Sequence, residues 1–469
     1  MTLPRRSDLP PPGAHVHLIG VAGAGMRGLG VLLLDAGYRL SGCDRAGAAA
    51  LDELTERGAV LSAGHAASHV EGADLVIFSS AVPADHPELR AAAEDGVPVM
   101  KRARALAALL NERRLAAVSG THGKTTITAL AGLACSAAGL DPIVAVGGRV
   151  AGWHGYARPG AGEVAVVEAD EYDRSFLDLD PSLLLISSVE PEHLDTYGTL
   201  EELERAYLVL AERARPRDGV LYCADDAGAR RIGGSVGGTS YGLAADADCR
   251  VEVLAREGGR QRCRLRLAAG GWDFDLEIPG EHNAQNAAGA LAMALRLASA
   301  SSGSAELLEA GALASAFEGF RGVDRRLQLL ADTAGVALFD DYAHHPTEVA
   351  ASLMAVRRAF PERRLVAVFQ PHLYSRTRAF ADEFGEALGA ADEALVLPIY
   401  PAREDPLPGV TSRLIADASG GGVRLASKEE ALELALAARG PIALVFMGAG
   451  DVTELAHQAV RERTDAMGG

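Results

Sequence analysis

The chain has 469 residues, a formal net charge of -18 at neutral pH and only three lysines, Lys101, Lys124 and Lys428. That length predicts about three domains, and an acidic balance with no basic block excludes wholesale nucleic-acid binding, so any anionic ligand must be met by local arginines, histidines or helix ends. Five dispersed cysteines without Cys-x-x-Cys spacing argue for free thiols in a reducing compartment and against a zinc site. The first twelve residues have no apolar core of signal-peptide length, and no window approaches about 18 continuous apolar residues. The expectation is a cytoplasmic protein without membrane insertion, acting as a monomer or homodimer.

The run from Val16 to Ile19 reads as a short buried strand, followed by a glycine turn and a helix through Leu34. In the turn that starts at Gly20, Gly23, Gly25 and Gly28 fit a dinucleotide-type fingerprint, and the next strand ends at Asp44, about 20 residues on. This predicts a Rossmann-like first domain over residues 1–112, in which the turn holds a diphosphate and Asp44 lies near a sugar. The strand from Leu75 to Phe78 ends in Ser79 and Ser80, small polar groups at a strand's carboxyl end, where this fold binds ligands.

The second predicted domain, residues 113–322, opens on Ser119-Gly120-Thr121-His122-Gly123-Lys124-Thr125-Thr126. An apolar strand precedes these residues and apolar positions 127, 130, 131 and 134 follow at helical spacing, so they read as strand, phosphate loop, helix. Gly120 and Gly123 let the backbone turn its N–H groups inward. Lys124 can reach the outer phosphates, and Thr125 can ligate magnesium. Val118 stands where the standard loop has its first glycine, so the match is to a shortened form. The parallel-type strand from Val164 to Val167 runs into Glu168-Ala169-Asp170-Glu171-Tyr172-Asp173. Four carboxylates in six residues repel one another unless a cation sits among them, which makes Glu168, and His193 after the strand from Leu183, candidate metal ligands. Residues 248–278 alternate as in an antiparallel flap. His282, Asn283 and Asn286 then open an alanine-rich helix, with the two amides one turn apart and able to meet an adenine edge. A charged crossover from Phe320 to Gln328 marks the second boundary.

The third predicted domain, residues 323–469, repeats the strand–helix alternation and is again Rossmann-like. Its strand ends carry Asp341 and Tyr342 and gather His344, His345, His372, Arg376 and Arg378, the last five a set able to bind a carboxylate and orient an amine.

Taken together, Gly-Thr-His-Gly-Lys-Thr-Thr at 120–126, Glu-Ala-Asp-Glu at 168–171, Glu-His-Leu-Asp-Thr-Tyr at 192–197 and His-Asn-Ala-Gln-Asn-Ala at 282–287 resemble the Mur ligase family. Asp-Asp-Tyr-Ala-His-His-Pro-Thr-Glu at 340–348 and Phe-Gln-Pro-His at 369–372 complete a likeness that covers roughly residues 14–460. It is most similar to the alanine-adding branch. The resemblance implies that ATP phosphorylates the lactyl carboxylate of UDP-N-acetylmuramate and that L-alanine attacks the acyl phosphate, releasing ADP and phosphate in peptidoglycan precursor synthesis. It further implies that the first glycine turn, with Gly20, Gly23, Gly25, Met26, Asp44, Ser79 and Ser80, holds UDP and not a nicotinamide. Residues 120–126, His282, Asn283, Asn286 and Asp341 would hold ATP, and Thr125, Glu168 and His193 would hold Mg2+. Lys124, His193, Arg326 and His344 would act in catalysis, with Tyr342, His344, His372 and Arg376 seating the amino acid and its target.

The residues depart from the family's pattern at Glu192, where aspartate is usual, at Gln328, where glutamate often stands, at Leu373, where some relatives have arginine, and in the loop 152–158. A close alternative within the family is the ligase that attaches a recycled tripeptide to the same sugar. From another class, a P-loop kinase or ATPase would account for the phosphate loop alone.

Overall fold

The computed structural model describes residues 2–45, 52–153, 155–302, 310–402 and 404–468; His154 of the loop 152–158 lies outside them. The chain is a three-domain α/β protein in which each domain is built on its own sheet. By compactness it divides into two units. Residues 1–252, 263–274 and 285–318 form one, and residues 253–262, 275–284 and 319–469 form the other.

In the first sheet, β1 (His15–Ile19), β2 (Arg39–Asp44), β3 (Val60–Ala63), β4 (Leu75–Phe78) and β5 (Val99–Lys101) lie parallel in the order β3-β2-β1-β4-β5. Strand order reverses between β1 and β4, so their carboxyl ends open the crevice where such sheets bind ligands. The helix Ala24–Asp35 starts at Gly23 and buries Met26, Leu29, Leu32 and Leu33.

The second sheet comprises β6 (Arg114–Ser119), β7 (Ile143–Ala145), β8 (Ala157–Arg158), β9 (Val164–Glu168), β10 (Leu183–Ile186), β11 (Gly219–Cys223), β12 (Thr239–Gly242), β13 (Cys249–Glu257), β14 (Arg260–Leu267) and β15 (Gly270–Leu276). Its order is β15-β14-β13-β12-β11-β10-β6-β9-β7-β8. β6 pairs in parallel with β9 and β10, so the phosphate loop leaves the sheet centre between the two strands whose ends carry the acidic segments. The stretch read as a flap joins the sheet itself, because β13 pairs with β12 in parallel.

The third sheet comprises β16 (Gln328–Thr333), β17 (Val336–Asp341), β18 (Arg364–Phe369), β19 (Glu393–Val396), β20 (Val423–Leu425) and β21 (Ile442–Met447), in the order β16-β17-β21-β18-β19-β20. Ala337, Phe339, Ala367, Phe369 and Val445 face the helices Pro346–Ala359 and Ala381–Leu388. Leu338, Val366, Val368, Leu444 and Phe446 face Lys428–Ala437 and Val452–Gly468. Covering both faces makes these strands continuous apolar runs, and each buried phenylalanine contributes about 2–3 kcal/mol. The edge strand β16 escaped the sequence reading, which took its first residue, Gln328, as the end of a crossover. It pairs antiparallel to β17 and leaves Leu329 at 47% exposure, so it carries no apolar run to recognise.

Candidate active site

Gly120 and Gly123 occupy backbone that other residues rarely adopt, at φ +131° and +79°, and both are crowded. A Cβ on Gly120 would stand 2.2 Å from Ser187 Oγ and 2.8 Å from the Ser188 nitrogen, and one on Gly123 would stand 2.7 Å from Asn286 Oδ1. Ser188, after β10, shapes the loop: its carbonyl accepts the Thr121 N–H at 2.9 Å and its hydroxyl accepts the His122 N–H at 2.9 Å. Glu190 N–H donates to Thr121 Oγ1 at 2.9 Å. Gly123 caps the helix Lys124–Ala137, which buries Thr125 and Thr126 in its first turn.

Lys124 Nζ lies 2.8 Å from Glu171 Oε2, a carboxylate with no exposed side-chain surface. Burial works against the ammonium, but Glu171, Asp170 and Glu168 outweigh it and raise the lysine well above its ordinary pKa. At Glu171 burial raises the carboxyl while Lys124 lowers it, and the 2.8 Å contact decides for an ion pair. The Thr125 hydroxyl donates to Glu168 Oε1 at 3.0 Å, and Gly147 N–H donates to Glu168 Oε2 at 2.6 Å. His193, held at φ +54°, groups with Asp170 and Glu171, one donor atom from each lying within 4.8 Å of the others. Glu171 Oε1 is buried with no hydrogen-bond partner among the described residues and lies 4.0 Å from His193 Nε2. The structure therefore pairs Thr125 with Glu168, and His193 with Asp170 and Glu171, around the lysine.

At the first glycine turn, Gly20 and Val21 donate to the Cys43 carbonyl at 2.9 and 3.1 Å, and Ala22 N–H donates to Asp44 Oδ2 at 3.1 Å. Asp44 thus lies on the turn. Ser79 Oγ is 3.7 Å from where a Gly20 Cβ would be, and a Cβ on Gly25 would stand 2.8 Å from Arg102 Nη1. Gly28 instead serves packing, since the Tyr156 carbonyl comes within 2.9 Å of its Cβ position. The Ser80 hydroxyl donates to Asp173 Oδ2 at 2.5 Å, linking the end of β4 to the acidic segment.

His282 and Asn283 begin the helix Glu281–Ser302. Asn283 donates its amide to the Pro279 carbonyl at 2.7 Å, while Asn286 abuts the phosphate loop. Burial pushes the His282 imidazole down to about 4, with Glu348 opposing.

In the third domain, the rings of Tyr342 and His344 lie 5.1 Å apart, those of His344 and His372 6.1 Å apart, and Tyr400 stacks on His372 at 5.8 Å. The guanidinium groups of Arg325 and Arg326 lie over the Tyr342 ring at 4.7 and 5.2 Å. Glu348 Oε2 accepts the His344 N–H at 3.0 Å. Arg376 lies on the short helix Tyr374–Ala379, which begins at Leu373 with φ +70°. Asp341 is buried, accepting from the Ser352 hydroxyl and from Ala343 N–H at 3.2 Å. Burial, partly offset by Ser352, pushes its carboxyl up to about 6. Gln328 is engaged locally, donating to Asp324 Oδ1 at 2.9 Å.

Sequence reasoning did not single out four of these residues. Glu171 sits inside the acidic motif, but its pairing with the lysine depends on β6 and β9 being neighbours. Arg102 follows Lys101 at the end of β5, and that basic pair in a lysine-poor chain is a usable signal. Ser188 and Tyr400 carry none, because each is defined by what it touches.

Three family models match successive parts of the chain: "Mur ligase family, catalytic domain" over residues 15–114, "Mur ligase middle domain" over 118–294 and "Mur ligase, glutamate ligase domain" over 325–450. A UDP-N-acetylmuramate–L-alanine ligase from Arthrobacter sp. (strain FB24) is 43% identical over 430 residues, covering 90% of this chain and 89% of the relative. Its counterpart from Saccharopolyspora erythraea is 40% identical over 479 residues, covering 98% and 95%. The crystal structure of the UDP-N-acetylmuramate–alanine ligase from Thermotoga maritima superposes with a TM-score of 0.79 at 25% identity, covering 96% of this chain and 99% of that one. With three successive domain matches, near-complete coverage at about 40% identity and a phosphate loop facing an acidic strand end, the chain belongs to the Mur ligase family.

Proposed function

We propose that the protein is an ATP-dependent ligase joining L-alanine to the lactyl carboxylate of UDP-N-acetylmuramate. The observation that carries this reading is the Lys124–Glu171 pair set between Thr125–Glu168 and His193 at the mouth of the phosphate loop, in a chain about 40% identical over nearly its whole length to ligases of that name. Domain roles follow: residues 1–112 hold the UDP-sugar, 113–322 the ATP and 323–469 the amino acid.

In this reading the glycine turn, with Asp44, Ser79, Ser80 and Arg102, anchors the UDP moiety. Since Thr121 and His122 give their N–H groups to Ser188, the phosphates are cradled by the amides from Gly123 onward at the helix N-terminus. Lys124 exchanges Glu171 for a phosphate oxygen. The terminal phosphoryl group passes to the lactyl carboxylate oxygen and ADP leaves. The amine of L-alanine, seated by Tyr342, His344, His372 and Arg376, then attacks the acyl carbon, phosphate departs and the amine sheds a proton. Arg326 draws off charge from the transferring group. The oxygen-rich donors of Thr125, Glu168, Asp170 and Glu171, one of them an orphaned buried oxygen, together with His193, suit Mg2+, which supplies charge neutralisation on the phosphates.

No described helix is long and apolar enough to cross a membrane, and this reading places the protein in the cytoplasm. The test is ADP release with UDP-N-acetylmuramate as acid and alanine, serine, glycine or the tripeptide as amine. Release strictly requiring both acid and alanine, with an acyl hydroxamate trapped by hydroxylamine, is the expected result. Preference for the tripeptide would move the protein to the neighbouring activity, and release needing neither acid nor amine would reduce it to an ATPase.

A further inference from the structure

The first domain contains a second cluster of metal-ligating side chains that the proposed reaction does not use. Glu88, in the first turn of the helix Pro87–Glu94, has no exposed surface, and His17 on β1 and Cys43 on β2 are 1% and 0% exposed. Ile19, Val70, Val76 and Ala92 make an apolar layer there that also includes Cys43. A carboxylate in such a layer costs several kcal/mol unless a partner compensates it.

Donor atoms from three other segments converge on it. Cys43 Sγ lies 3.2 and 2.9 Å from the two Glu88 oxygens. His65 Nδ1 lies 3.2 Å from Cys43 Sγ and 3.6 Å from Glu88 Oε1. His17 Nε2 lies 3.4 Å from Glu88 Oε2, and one donor atom each from His17, Cys43 and Glu88 fit within 4.8 Å of one another. In a tetrahedral site with bonds of about 2.0–2.3 Å, ligand atoms stand roughly 3.3–3.8 Å apart, a range that the Cys43–His65, His65–Glu88 and His17–Glu88 separations of 3.2, 3.6 and 3.4 Å match to within about 0.1 Å.

The outer contacts are those of a supported site. His17 Nδ1 is occupied by Ser41 Oγ at 2.8 Å, which leaves Nε2 aimed at the cluster. Glu88 Oε1 is steadied by Ala66 N–H at 3.0 Å and His69 Nδ1 at 3.1 Å. Such second contacts orient metal-bound imidazoles and carboxylates.

We propose that this cluster is a structural site for zinc or a like divalent transition ion, held by Cys43 Sγ, His65 Nδ1, Glu88 and His17 Nε2, with the thiol proton released to solvent on ligation. The mixed sulfur, nitrogen and carboxylate set suits zinc rather than magnesium. Cysteine spacing gave no hint, because a single cysteine takes part and the other ligands come from β1, the loop after β3 and a helix. The site also reaches the glycine turn: the Cys43 carbonyl accepts from Gly20 and Val21, so a metal on its sulfur braces the backbone of the UDP-binding turn. This inference does not rest on the proposed reaction.

The test uses the full-length reduced protein, stripped with a chelator and titrated with Co2+. The expected result is a thiolate-to-cobalt charge-transfer band that saturates at one equivalent, is bleached by one equivalent of Zn2+ and is missing in Cys43→Ser. The Asp170–Glu171–His193 group has no sulfur and cannot produce that band. Metal content of the protein as purified is read alongside. The absence of a thiolate band in the wild-type protein, or a band unchanged in Cys43→Ser, would overturn the proposal and leave a purely hydrogen-bonded network. An absent wild-type band refutes the proposal even if the variant does not fold.

Discussion

Replacing Lys124 by methionine is expected to do more than stop turnover. Glu171 is fully buried, one of its oxygens already has no hydrogen-bond partner among the described residues, and the other meets the lysine at 2.8 Å. Losing one partner of a buried ion pair costs about 3–5 kcal/mol because the remaining charge is uncompensated. For a domain of 150–250 residues that corresponds to a fall of roughly 10 °C in its unfolding midpoint. Glu171→Gln is milder, about 1–2 kcal/mol, because Asp170 and Glu168 still face the ammonium. The double variant carries neither charge and should sit close to the milder single one, so the two changes fail to add by about 3–5 kcal/mol. Thermal unfolding of the four proteins, followed by calorimetry without nucleotide, measures this. Effects that add to within about 0.5 kcal/mol would show that the two groups are uncoupled and that the ion pair does not organise the loop.

Gly120→Ala places a methyl group against the backbone of residues 187 and 188 at φ +131°. Backbone strain and overpacking predict a loss of roughly 2–6 kcal/mol together with loss of ATP binding by calorimetric titration; a variant of native stability that binds ATP normally would remove the loop from its assigned role. The Asp341 carboxyl titrates at about 6 in the folded protein against an ordinary 3.8. The native state therefore holds this proton to higher pH than the unfolded chain, and stability is lost as pH rises from about 4 to 6, by about 3 kcal/mol. Asp341→Asn should flatten that segment of the stability–pH profile, and superimposable wild-type and variant profiles would contradict the assignment. His193→Ala should raise the Mg2+ needed for half-maximal ADP release about tenfold or more, and an unchanged Mg2+ titration would make His193 structural.

Much of the site was legible before folding because phosphate chemistry imposes local spacing. Gly120, Gly123, Lys124 and Thr125 lie within six residues of one another, and the acidic run from Glu168 stands out by charge density alone. The same holds for the central strands of the first and third sheets, whose buried runs announce themselves by composition, whereas edge strands such as β16 and β20 bury too little to do so.

What the residues determined unaided was therefore the three-domain α/β plan and the short glycine and acidic motifs, since each depends on neighbours in the chain. Tertiary structure alone decided that Lys124 is met by Glu171, that Ser188 shapes the loop, that Tyr400 stacks on His372 and that Arg102 reaches the first glycine turn. It likewise decided that His17, Cys43 and Glu88 meet in the interior, with His65 beside them. Those partners arrive from strand ends, loops and helices distant in sequence, and a contact set by tertiary packing leaves no periodicity in the chain to read.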